Sequence, residues 1–107
     1  MDISNIEKMK GGWFIGNFEP SVFKTELFEV GTKLHKKGEK WPVHFHKKAT
    51  EITYVIKGKM KIQNKIISSG DIFLIKPYEV ADPEFLEDTY VLVVKTPSCL
   101  EDKYCIS

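Results

Sequence analysis

The sequence predicts an all-β domain of the sandwich or barrel kind. Three observations predict it. Short runs rich in β-branched and aromatic residues recur along the chain, separated by turn signals at Gly31, Gly38, Gly58, Asn64 and Ser69-Gly70. No helical periodicity intervenes, and only residues 3–10 offer a short helical turn. The chain has 107 residues, 42% of them apolar, which is enough for one core and not for two. A jelly roll of about eight antiparallel strands is the natural closure at this length, with residues 1–107 forming a single domain.

The elements follow in order. Trp13-Phe14-Ile15-Gly16-Asn17-Phe18 is an aromatic-rich opening strand, and Thr25 to Val30 mixes apolar and polar residues as a second. Lys33-Leu34-His35-Lys36-Lys37 reads as a basic loop with His35 in solvent. Trp41 to His46 is the next strand, and Ile52 to Ile56 is a strong β run. Lys59 to Gln63 alternates cleanly and returns through a turn at Asn64-Lys65 into Ile66-Ile67. Ile72 to Ile75 is continuously apolar, as in a strand covered on both faces. Tyr90 to Lys95 is the last strong strand.

Composition narrows the function classes. A net charge of +1 argues against bulk nucleic-acid binding. No apolar stretch of ~18 residues exists, so no membrane span is expected. The first residues, Met1-Asp2-Ile3-Ser4-Asn5, lack the basic and apolar regions of a secretory signal, so the expected location is the cytoplasm. Cys99 and Cys105 are then expected as thiols.

The chemistry concentrates in residues 38–58. Gly38 is followed by five residues and His44-Phe45-His46, then four residues and Glu51, then six residues and Gly58. Side chains alternate along a strand, so His44 and His46 share a face and Phe45 takes the other. The polar turn Lys47-Lys48-Ala49-Thr50 returns Glu51 beside them. Two neutral imidazoles and a carboxylate suit non-haem Fe(II), and equally Zn, Mn, Ni or Co. Thr53 and Val55 share the parity of Glu51 and should line the same interior.

This spacing resembles the first motif of the cupin superfamily, G-x5-H-x-H-x3–4-E-x6-G, with every defining position filled. The resemblance implies a small cupin jelly-roll β-barrel with His44, His46 and Glu51 as ligands of a divalent metal ion. It also implies a homodimer. It does not select a reaction, because cupins include oxygenases, isomerases, epimerases, storage proteins and sensors.

The second cupin motif, G-x5-P-x-G-x2-H, begins well at Gly70-Asp71 and then departs. Pro77 sits one place late, Tyr78 replaces the glycine, and Ala81 stands where the last histidine belongs. Either the site lacks a fourth protein ligand, or a one-residue shift lets Asp82 supply a carboxylate. As a plain loop residue, Asp82 before Pro83 would simply open a turn.

The remaining charges read more simply. Lys36, Lys37, Lys40, Lys47 and Lys48 surround the first motif and read as solvated loop lysines rather than an anion-attracting rim. Three functions are consistent with these residues. One is a metal-dependent enzyme acting on a small molecule, of oxygenase or isomerase type. The second is a non-catalytic small-ligand binder, and the third a regulatory barrel with a vestigial metal site.

Overall fold

A computed structural model describes residues 1–99 and 101–105. In chain order the strands are β1 (Trp13–Gly16), β2 (Phe23–Lys24), β3 (Glu29–His35), β4 (His44–His46), β5 (Thr50–Lys57), β6 (Lys59–Ile62), β7 (Lys65–Ser68), β8 (Ile72–Ile75), β9 (Glu84–Phe85), β10 (Thr89–Thr96) and β11 (Lys103–Cys105). Ile6–Lys8 forms a single 3-10 turn, capped by the Asn5 side chain accepting from the Glu7 amide. Among the described residues no helix is long and apolar enough to cross a membrane.

The all-β expectation holds, but the count of about eight antiparallel strands does not. Eleven strands among the described residues form three sheets: β2-β1-β3-β10-β5-β8, β7-β6-β9, and β11-β4. The extra strands, β2, β9 and β11, are pieces of two or three residues, and β1 pairs with β2 in parallel. The hydrogen-bonded ladder is therefore divided rather than closed into one barrel.

The large sheet is built around β10, which pairs antiparallel with β3 on one side and β5 on the other. Both ladders keep register across Val93, which faces Gly31 and Thr53. Inward-facing residues of β5 and β10 join Met60, Ile62, Ile75, Ala81 and Phe85 in one apolar core. Val55 has no exposed surface, and its burial contributes roughly 1.5–3 kcal/mol.

Strand β3 differs most from expectation. The sequence places a strand at 25–30 and a turn at Gly31, whereas β3 runs through Gly31 to His35. Gly31 serves close packing instead. A Cβ there would lie 2.7 Å from Cε3 and 2.8 Å from Cδ2 of Trp13. Continuing the strand turns Gly31, Lys33 and His35 to one face. His35 is therefore buried, not solvated as its basic neighbours suggested.

The hairpin between β6 and β7 turns at Gln63-Asn64, one residue earlier than expected. Both residues are left-handed (φ 49° and 61°), the pattern of a type I′ turn.

Candidate metal and ligand site

Strand β4 delivers the two histidines as its alternation requires. His44 and His46 are buried with ring centroids 5.5 Å apart. Phe45 faces away and stacks on Tyr78 and Tyr104. Each imidazole is fixed through the same atom. Nδ1 of His44 donates to the Pro42 carbonyl at 2.8 Å, and Nδ1 of His46 donates to the Asp102 carbonyl at 3.2 Å. A carbonyl can only accept, so the proton sits on Nδ1. In the neutral ring Nε2 then carries the lone pair, the tautomer that binds metals.

Glu51 stands on β5 across the 47–49 turn, with Oε2 4.0 Å from Nε2 of His46. All three side chains line one cavity of about 240 Å³. Two ligand bonds of about 2.0–2.2 Å can span such a separation, so the donor set fits a shared ion. The fit is loose. Among the described residues no three His, Cys, Asp or Glu side chains converge closely enough to hold an ion as they stand.

Asp82 is not brought to this site. It is exposed, and its Oδ1 accepts from the Gln63 amide at 2.7 Å, bracing the β6–β7 turn. Ala81 takes the inward position. It is buried, lines the cavity, and exchanges two backbone hydrogen bonds with His44 (3.0 and 2.7 Å). The spacing from Gly70 to Ala81 therefore holds without the shift that Asp82 needs. The displaced proline is absorbed locally by Tyr78, which is left-handed (φ 68°) and donates its amide to His46.

Three functional features were not read from the sequence. The first is Asp102, buried 56 residues from His46. Its carboxylate accepts from the amides of Lys47, Lys48 and Ala49, so it holds the turn that joins His46 to Glu51. Burial opposes its charge, but these amides outweigh it and hold the carboxyl below its usual range.

The second is His35, which lines the same cavity and stacks on Phe85 with centroids 4.0 Å apart. Its Nδ1 is hydrogen-bonded to Oε2 of Glu39, which also accepts from Nε1 of Trp41 at 2.6 Å. Those two bonds, His35 first, keep Glu39 below the ordinary carboxylate range. This carboxylate–imidazole pair can hold or move a proton at the cavity wall.

The third is a set of inward lysines. Lys33 (β3) and Lys95 (β10) are part-buried and line the cavity together with Lys103 (β11), which is exposed at its rim, whereas the five exposed loop lysines flagged by the sequence do not line it. Burial, then the charges of Lys95 and Lys103, lowers the pKa of Lys33. Burial likewise lowers that of Lys103. His46 is pushed down by burial and then by Lys95, against the opposing pull of Glu51, so its ring favours the neutral form.

No family profile matches the chain, and no curated protein does. Solved structures do. KdgF from Halomonas sp. superposes with a TM-score of 0.67 at 21% identity, over 72% of this chain and 74% of that one. The bacterial pirin YhhW from Escherichia coli, in complex with nickel(II), gives 0.66 at 17% identity, over 82% of this chain but 39% of the pirin. A cupin-2 domain protein from Shewanella frigidimarina gives 0.60 at 16% identity, over 67% and 72%. These likenesses are of architecture, and the fold of this chain is that of the cupin superfamily.

Proposed function

We propose that this protein is a metal-binding cupin that takes a small molecule into the cavity beside the ion. His44, His46 and Glu51 would hold the metal. One observation carries the reading: both imidazoles are tied through Nδ1, leaving two Nε2 lone pairs in a cavity that Glu51 also lines. The nickel of the pirin neighbour supports it by analogy of fold. When bound, the ion supplies Lewis acidity, or oxygen chemistry if it is iron. The chain's own residues do the rest. The apolar walls pack against the body of the molecule, and His35, oriented by Glu39, holds or moves a proton.

Metal content by plasma emission tests this on protein purified without a histidine tag. Near-stoichiometric metal that is lost in the His44→Ala/His46→Ala double variant is expected. Absence of metal, even after incubation with iron, zinc, manganese and nickel, would leave the second reading, a metal-free ligand binder. The loose spacing of the donors and the methyl of Ala81 at the fourth position favour that alternative.

We also propose a cytoplasmic homodimer. The outer face of the large sheet carries Leu34, Tyr54, Ile72, Leu74 and Tyr90 in exposed positions, and Tyr54 stands opposite Ile72. Such an apolar face suits burial against a second copy. Sedimentation should show a dimer that Tyr54→Lys with Ile72→Lys reduces to monomer.

A further inference from the structure

The cavity holds more positive charge than its candidate metal ligands explain. Register places each lysine there. Lys33 faces Val91 across β3–β10, Lys95 faces Glu51 across β10–β5, and Lys103 faces His46 across β11–β4. All three ammonium groups rest on the two tryptophans. Lys33 and Lys95 lie 5.2 and 5.0 Å from the ring centroid of Trp13, and Lys33 and Lys103 lie 5.5 and 4.3 Å from that of Trp41.

Acidic neighbours exist but do not pair with them. Glu51 and Glu29 flank Lys95 in register, and Glu39 is engaged by His35 and Trp41. Among the described residues no carboxylate comes within 4.0 Å of any of the three ammonium groups. A metal ion on Glu51 would occupy its carboxylate and leave the lysines still less compensated. Lys33 and Lys95 are part-buried and Lys103 closes the rim as an exposed residue, so three like charges converge on the aromatic faces without a paired carboxylate, and an anion relieves that cost.

The walls indicate the rest of that anion. Trp13, Trp41, Phe73 and Phe85 surround the charges with aromatic surface. The structure has no α-helix N-terminus among its described residues, the usual cradle for a phosphate. The volume of about 240 Å³ lies below the range of about 300–1,000 Å³ usual for ligand pockets, so the ligand is small.

We propose that Lys33, Lys95 and Lys103 bind the carboxylate of a small organic acid whose apolar body lies against Trp13 and Trp41. This names the ligand class of the cavity and rests on the small-molecule half of the function proposed above, not on the metal.

Benzoate and its neutral isostere benzamide test the assignment, titrated by calorimetry into protein stripped of metal with a chelator. Benzoate should bind at least tenfold more tightly than benzamide, and added salt should narrow the gap. Lys33→Met/Lys95→Met should abolish the preference, with metal content unchanged and folding checked by circular dichroism. Lys103→Met should reduce it. Equal affinity for the two probes, no binding of either, a preference surviving in the double variant, or equally tight inorganic phosphate would overturn the proposal. A measurement on the unmodified protein guards against misfolded variants: iodide should quench the two tryptophans more strongly than caesium does, and equal quenching would count against the proposal. The His44→Ala/His46→Ala variant separates the two readings. It should lose metal and keep the preference for benzoate.

Discussion

Asp102 holds His46 from two directions. Its backbone carbonyl accepts from Nδ1 of the imidazole, and its carboxylate, 4.0 Å from the same nitrogen, bonds the three amides that follow His46 in the chain. One residue therefore fixes both the ring's tautomer and the turn that positions Glu51.

Removing that carboxylate should loosen both. Asp102→Ala leaves three buried or half-buried amides without their acceptor, a loss of about 2–3 kcal/mol. Chemical denaturation should show this loss, and metal affinity should fall with it. Asp102→Asn retains one acceptor oxygen and should lose less. Unchanged stability in the alanine variant would mean that water replaces the carboxylate.

Acid should act first through His46. Burial and Lys95 place its folded pKa below that of the unfolded chain, about 6.5. The unfolded state then takes up the proton first as pH falls. Stability contributed by the neutral ring is complete above pH ~6.5 and is lost as pH drops from there through the folded pKa. Asp102 and Glu39, whose folded pKa values are depressed, contribute stability above the unfolded carboxyl range of about 4 and lose it below. Denaturation midpoints measured from pH 8 to 4 should therefore begin to fall near pH 6.5 on metal-free protein. His46→Gln should delay the fall until the carboxylates titrate.

Ala81 marks where a fourth ligand belongs. Its backbone is bonded to that of His44 and its methyl lines the cavity. Ala81→His should raise metal affinity at least roughly tenfold, read by competition with a chromophoric chelator. The gain follows from adding an imidazole donor to an incomplete set. No gain would mean that the histidine cannot point inward from this position.

Lys33 should cost stability that its function requires. Burial and two neighbouring ammonium groups oppose its charge at neutral pH. Lys33→Met keeps the stem that packs on Trp13 and Trp41 and removes the charge, and should raise stability by roughly 0.5–2 kcal/mol. A calorimetric Tm above that of the wild type would confirm it. A lower Tm would mean that the cation–π contacts outweigh the burial.

The sequence was most legible where periodicity and spacing act locally. Phe45 and His46 alternate as β4 requires, and Thr53 and Val55 follow Glu51 inward on β5. It was least legible where a distant strand decides. Gly31 read as a turn because the Trp13 ring that excludes a side chain there lies 18 positions away. That misreading sent Lys33 and His35 into a loop and hid that both line the cavity. Alternation through Gly31 would have found both residues. Asp102 gave no local signal at all, because its partners are the amides of a turn more than 50 residues away. Asp82 looked available because its true partner, the Gln63 amide, belongs to a hairpin that the second motif does not include.

The pairing of β4 with β11 has a dynamic consequence. His46 and Lys103 face each other in a two-stranded ribbon that shares no ladder with the large sheet. A short edge strand such as β11 frays more readily than a central strand. Ala81 and Tyr78 hold the other edge of β4, so fraying falls on β11 and would withdraw the Lys103 ammonium group together with the Asp102 carbonyl that orients the His46 imidazole. A ligand touching that ammonium group or imidazole should hold the ribbon shut, and occupancy should then appear as slowed amide exchange along Lys103 to Cys105 even where the ligand itself makes no contact.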